Sequence, residues 1–305
     1  MEPSGIDAAA RRCALCRATV AATEAGDGLR CTGCARVFPA RPQGGFDFRL
    51  REGEAVLHPA VYRPLSIDRT LEVVARREAP CVPPRNAYDG TGLWHLTRDQ
   101  ISYIPQARPG QIAMDLGCGT ALHRPVLEGL GYRYYGVDFW GDGAQDYVDA
   151  HALPIADEAL DLILAIALLE HLAEPTIAMA EMARVLKPGA YAIGTVAFLE
   201  PFHDNSFFHF SPLGLQAALG TAGFEVEAIM SIRGWNVVRA QLEMGFERAR
   251  MPRFATNLLS QPFVALMEGY ALLGRVVASD KTRHGRDIVH ARHAGSLFYV
   301  ARRAG

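Results

Sequence analysis

Asp115 ends an apolar run and is followed by two glycines in Met114-Asp115-Leu116-Gly117-Cys118-Gly119-Thr120. Glycine at 117 and 119 lets the backbone take dihedrals closed to other residues and come close to a ligand. From Ala121 onward the sequence is expected to open a helix whose free N–H groups point the same way. A pyrophosphate cradle is not in evidence: Leu122 stands where a dinucleotide fold places its third glycine, and the Gly-Lys-Ser/Thr of a P-loop is missing. A carboxylate ahead of such a loop suits a ligand with a cationic amino-acid end.

A second carboxylate follows on schedule. Tyr134-Tyr135-Gly136-Val137-Asp138 reads as a short strand ending in an acid about twenty residues on, where α/β folds grip ribose hydroxyls. Further blocks come in order: Asp149-Ala150-His151-Ala152-Leu153-Pro154, Asp157 to Leu164, Leu169-Glu170-His171-Leu172, and Ala183 to Gly189. Any one of these aspartates could be a turn former at a strand end. As an ordered series over residues 86 to 231 they resemble the class I S-adenosylmethionine-dependent methyltransferases, with a methyltransferase type 11-like domain. One position departs from the usual acidic-x-Gly-x-Gly-x-Gly loop, the last glycine being Ala121.

The resemblance implies a role for each matched residue. Asp115 and the backbone of Gly117 and Gly119 would hold the methionine end of S-adenosylmethionine, and Asp138 would accept the ribose hydroxyls. Asp149 and the Ala150 N–H would read the adenine edge. Tyr88 lies in the segment ahead of the first strand, where these enzymes commonly place a helix over the cofactor.

A sulfonium is already a good leaving group, so such an enzyme mainly aligns an acceptor, and alignment can be worth up to roughly 7 to 11 kcal/mol. A base is needed only where the acceptor must lose a proton near the transition state. The candidates are His171, after the fourth strand, and His203 and His209 in the aromatic loop Pro201 to Phe210. His171 also reads as a packing residue, and for His203 and His209 a packing role stands beside the substrate-facing one.

Four of the six cysteines form Cys13-x-x-Cys16 and Cys31-x-x-Cys34. Two such knuckles can supply four thiolates at tetrahedral angles, and the intervening gap is one residue short of the usual range. A structural zinc is the first reading, with an iron centre or redox thiols as alternatives. The segment with its sequel, Val37-Phe38-Pro39 and Gly44 to Phe48, resembles small zinc-ribbon modules found before some bacterial methyltransferases. Cys81 and Cys118 have no partner at metal spacing and read as small apolar residues.

These residues need a scaffold. At 305 residues and 50% hydrophobic, the chain can bury a full-sized core and carry a small accessory domain. Strand-like runs near 111 to 115, 133 to 138, 146 to 149, 160 to 166, 190 to 198, 224 to 231 and 296 to 302 alternate with helical patterns. That predicts an α/β fold with a doubly wound, seven-stranded, mostly parallel sheet and ligands at the strands' carboxyl ends. The spacing divides the chain into a zinc ribbon (1 to 50), a connector with a helix from Ser66 to Pro80 (51 to 85), and the methyltransferase domain (86 to 305). A helical insertion at 236 to 293 precedes the last strand. Its stripe Leu259, Phe263, Leu266, Tyr270, Leu273 and Val277 recurs at helical spacing and reads as a lid packed over the substrate mouth, a homodimer seam, a membrane surface or ordinary core. Ser211-Pro212 predicts a helix start and Gly223 its end.

The formal charge of -2 gives no global field to attract nucleic acid, and the basic residues between Lys281 and Arg303 read as a solvated end. No membrane span and no secretory signal is evident, so a cytoplasmic protein is expected. The expected function is methyl transfer to an oxygen, nitrogen or carbon of a small metabolite or natural product. The rivals are an rRNA or tRNA methyltransferase and a non-catalytic cofactor-binding regulatory subunit.

Overall fold

The computed structural model describes residues 5–58, 86, 90, 92–93, 95–203, 205–232, 234–245, 251–277 and 290–305. The expected helix from Ser66 to Pro80, Tyr88 and Asp204 lie outside the described residues.

Three short strands, β1 (Val20–Ala22), β2 (Gly28–Cys31) and β3 (Val37–Pro39), form an antiparallel sheet that carries the cysteine knuckles. The main sheet comprises β4 (Ile112–Leu116), β5 (Arg133–Asp138), β6 (Asp146–Tyr147), β7 (Leu160–Ile166), β8 (Leu186–Ala197), β9 (Phe224–Ser231) and β10 (Ser296–Arg303). Its order is β6-β5-β4-β7-β8-β10-β9, with β10 antiparallel to both neighbours and the other pairs parallel. The chain reverses direction across the sheet between β4 and β7, so the crevice above their carboxyl ends is the expected ligand position. The described helices are α1 (Arg98–Ile101), α2 (Arg124–Gly129), α3 (Pro175–Val185), α4 (Pro212–Ala222), α5 (Val237–Ala240) and α6 (Arg253–Val277).

Burial follows from strand pleating. Successive side chains point to opposite faces, so Met114, Tyr135 and Ile163 enter one apolar cluster while Ala113, Tyr134 and Leu162 enter the other. Covered on both faces, β4 and β7 read as nearly unbroken apolar runs. Helix α4 keeps both expected ends: Ser211 Oγ accepts from Gly214 N at 3.1 Å, and Gly223 takes φ 102° as the left-handed cap.

The ribbon is fused to the edge of this sheet. Phe48 N donates to Tyr147 O at 2.8 Å and Tyr147 N to Phe46 O at 2.9 Å, extending β6 by one partner. Arg11 reaches the buried Asp146 at 2.9 Å, and Tyr135 Oη donates to the same carboxylate at 2.7 Å. Phe38 and Phe48, both fully buried, join the main core. An otherwise exposed sheet edge is thereby covered.

One expectation fails. No helix opens at Ala121: that residue sits at φ 60°, in a turn, and α2 begins at Arg124. The bend that carries the chain off β4 needs a left-handed residue there, which a helix cannot contain. The stripe on the insertion does not pack inward as a whole, as a lid or core stripe would, because Leu259, Leu266, Tyr270 and Leu273 are exposed; a dimer seam or membrane surface would expose them in the single chain. The inward face of α6 is Thr256, Ser260 and Met267, with Phe263 half-buried beside them. Thr256 Oγ1 donates to Glu243 at 2.6 Å and Ser260 Oγ to Asn257 O at 2.8 Å. With their hydroxyls satisfied, small polar residues bury at no great cost, and apolar periodicity marks the wrong side. The side chain of Val277 lies outside the described residues.

Candidate functional site

The loops after β4, β5 and β7 meet at the carboxyl edge of the sheet. Asp115 is only 1% exposed and accepts from Tyr134 Oη at 3.1 Å through Oδ2. Its Oδ1 lies 3.5 Å from His123 Nδ1, yet neither atom completes a hydrogen bond among the described residues. An unpaired buried carboxylate oxygen is costly, and a cationic amino group would satisfy it.

The glycine turn beside it leaves room for a ligand. Gly117 and Gly119 take φ 77° and 54°; a Cβ on Gly119 would meet only open space, whereas one on Gly117 would come within 2.9 Å of Leu168 Cδ1. Asp138 at the end of β5 pins this turn. Its Oδ2 accepts from Gly119 N at 2.8 Å, and its Oδ1 accepts from Trp140 N and Gly141 N, each at 2.9 Å. Further out, Asp149 accepts from His151 Nδ1 at 2.6 Å and from the His151 amide at 3.0 Å. His151 Nε2 in turn accepts from Glu174 N at 3.3 Å, which fixes the tautomer with its proton on Nδ1. Burial alone would raise the Asp149 carboxyl, but the His151 bonds outweigh it and hold it low. An unpaired acid, a glycine turn open at Gly119 and two carboxylates at or just past strand ends fit the methionine, ribose and adenine parts of S-adenosylmethionine. Ala150, next to Asp149, is buried.

Sequence reasoning passed over several members of this region. Gly141 and Gly143 press the β5 loop onto the glycine turn, and a Cβ on Gly143 would stand 2.4 Å from Thr120 C. Phe139 and Trp140 follow Asp138 and remain exposed, although two aromatics directly after a strand-end acid were visible in the sequence. His123 carried no signal, since only the bend after β4 brings it to Asp115.

A cavity of about 420 Å³ lies on the other side of the β7 loop. Its walls include His95, Glu170, His171, Glu200, His203, Trp235, Met244, Met251 and Arg253. The insertion thus supplies Met244, Met251 and Arg253. His171 and His203 meet edge to face with ring centroids 5.4 Å apart, and His203 meets His209 at 5.8 Å. His209 is exposed and is not part of the cavity wall. Glu170 is 2% exposed; burial pushes its carboxyl up to about 7, and its Oε2 has no hydrogen-bond partner among the described residues. Glu200 accepts from Trp235 Nε1 at 2.5 Å and from Ser296 Oγ. Burial holds the His95 imidazole below its ordinary value.

In the ribbon, Cys13 Sγ lies 3.6 Å from Cys34 Sγ and Cys16 Sγ 3.4 Å from Cys31 Sγ. Four thiolates about 2.3 Å from one tetrahedral ion would stand at nearly these separations. Burial raises the Cys31 thiol, but the amides of Cys34 and Gly33 outweigh it and draw it down to about 6. The amides meet its sulfur at 3.3 Å, the contact a thiolate ligand wants.

A methyltransferase-domain family model matches residues 114–194. A 37.1 kDa protein of transposon Tn4556 from Streptomyces fradiae is 28% identical over 161 residues, covering 46% of this chain and 44% of the relative. A methyltransferase of uncharacterized role from Mycobacterium leprae is 30% identical over 117 residues, 33% of this chain and 44% of the relative. The chain therefore spans less than half the length of these two relatives. Among solved structures, a chain of the complex between the Haloferax volcanii Trm112 methyltransferase activator and a methyltransferase aligns over 70% of this chain and 90% of its own, at 19% identity and TM-score 0.45. The matched domain, the sheet order and the acidic residues at its strand ends identify a methyltransferase domain of the class I S-adenosylmethionine-dependent type around residues 114–194.

Proposed function

We propose that the chain methylates a small-molecule acceptor, held in the histidine-lined cavity, with S-adenosylmethionine bound across Asp115, Asp138 and Asp149. One observation carries this reading: the short loop after β7 belongs to both places. Leu168 touches the glycine turn, and Glu170 and His171, two and three residues on, line the cavity. Residues on one loop hold the two compartments in fixed register, and alignment is most of what such a transfer requires.

When bound, S-adenosylmethionine supplies a methyl group on a sulfonium. Asp115 would accept the amino group at its free Oδ1, and Asp138 would accept ribose hydroxyls on lone pairs left after its three amide bonds. The Asp149 oxygen not taken by His151, with the Ala150 amide, would read adenine. On the acceptor side, His203 and His171 are placed to take a proton from a hydroxyl or amine, with His209 relaying it outward. The insertion roofs this cavity through Met244, Met251 and Arg253, as a lid would. We further propose that the four ribbon cysteines hold a structural zinc, whose closed shell leaves no position for substrate.

A cavity of this size suits a metabolite or natural product better than a nucleic acid. The test is formation of S-adenosylhomocysteine with a panel of small hydroxyl, amine and acid acceptors, beside total RNA. Turnover with a small acceptor, lost in Asp138→Ala, is expected. Turnover with RNA alone would replace this reading by the RNA one, and cofactor binding without any turnover would favour a regulatory subunit.

A further inference from the structure

Glu170, His171 and His203 do more than line a cavity. One ligating atom from each lies within 4.8 Å of the other two. Two imidazoles and one carboxylate are a ligand set for late first-row divalent ions, and three protein ligands leave coordination positions open. Ions of this class bind nitrogen and oxygen at about 2.0 to 2.2 Å, so closure around one needs a contraction of the order of an ångström. His203 stands on a loop that can supply it.

Two independent features point the same way. His203 Nδ1 lies 3.0 Å from the Pro201 carbonyl, so its proton is held there and the Nε2 lone pair is left for a ligand. Metal-binding histidines are oriented in this manner by a backbone carbonyl behind the ring. Glu170, buried at 2% exposure, keeps Oε2 free of any hydrogen bond among the described residues. A buried carboxylate oxygen without a donor is a position that a cation would satisfy. The pocket around it also holds Glu200, whose Oε2 stands 4.0 Å from His203 Nδ1 and adds negative potential.

We infer that Glu170, His171 and His203 bind a divalent transition-metal ion, of the zinc, cobalt or iron(II) class, distinct from the ion of the cysteine ribbon. Its open positions face the cavity, where an oxygen of the acceptor would bind; this last clause rests on the proposed methyl transfer, whereas the metal site does not. A hydroxyl bound there would lose its proton more readily, so with the ion present His171 and His203 would serve as ligands in place of taking the proton themselves, and His209 would have no part in the deprotonation.

The full-length protein is stripped with chelator, titrated with cobalt(II) and followed by absorbance and elemental analysis. Wild type should take up two ions per chain, one with intense thiolate-to-metal absorption and one with only weak visible bands. His203→Ala and Glu170→Gln should each lose the weak-band ion and retain the thiolate one, whereas Cys31→Ser should do the reverse. Glu170→Gln preserves shape, so it keeps the test decisive if His203→Ala unfolds by circular dichroism. A single ion per chain in wild type, with thiolate bands only, overturns the site; so does a weak-band ion that survives both substitutions. Either negative result leaves S-adenosylhomocysteine formation free to occur, so the two readings fail separately.

Discussion

Gly119 donates its amide to Asp138 Oδ2 at 2.8 Å, so the glycine turn after β4 and the acid at the end of β5 act as one unit. The carboxylate that would receive the ribose also sets the shape of the loop that would receive the methionine end.

Asp138→Ala should therefore remove two things together. Charge-assisted bonds are worth about 1.5 to 3 kcal/mol, so affinity for S-adenosylmethionine should fall by at least roughly tenfold. Calorimetry on folded protein measures this. Unchanged affinity would place the ribose at another strand end.

Ala121 stands at φ 60° where the family loop has glycine. A left-handed alanine costs about 1 kcal/mol that glycine does not pay. Ala121→Gly should raise the melting temperature by roughly 2 °C and leave cofactor affinity at or above wild type. A lower melting temperature would show that the turn is not strained.

Cys31→Ser should abolish the ribbon ion, since a closed site needs all its thiolates. Because Phe38 and Phe48 of this module pack into the main core, with ring centroids 4.8 Å apart, the melting temperature should drop as well. Elemental analysis and a thermal melt suffice. Metal content equal to wild type would defeat the assignment.

Neighbouring residues on α6 should differ sharply. Met267 is buried and Leu266 is 69% exposed. Met267→Ala should cost about 2 to 5 kcal/mol, whereas Leu266→Ser should stay within about 0.5 kcal/mol. Denaturant unfolding compares them. A large loss at Leu266 would mean that the outward stripe is covered in solution, and light scattering would then reveal whether a second copy covers it.

The bond from His151 holds the Asp149 carboxyl below its unfolded value. A group lowered in the folded state stabilises above its unfolded pKa, and the contribution is lost as pH falls through the folded one. Wild type should gain stability as pH rises through the lowered folded pKa of Asp149 to its unfolded value of about 3.9, and keep it above that. His151→Ala should shrink that gain. An identical gain in both proteins would refute the coupling.

The sequence by itself determined the sheet and the acids at its strand ends, because both rest on local rules. Strands buried on two faces read as apolar runs, and the acids that follow them mark their ends; Asp115, Asp138 and Asp149 were legible for that reason. The cysteine knuckles were legible because two short turns fix their geometry.

What only the tertiary structure decided depends on contacts between distant segments. Glu170 and His171 adjoin in sequence, but their meeting with His203, Glu200, Trp235 and Arg253 requires β7, β8 and the insertion to close on one another. The approach of His123 to Asp115 needs the left-handed bend at Ala121, which alanine does not advertise. Arg11 finds Asp146 only because the ribbon extends β6, 135 positions away. The face that α6 buries was not legible because Thr256 and Ser260 satisfy their hydroxyls within the fold. Periodicity records hydrophobicity, and burial follows from satisfied bonds and available partners.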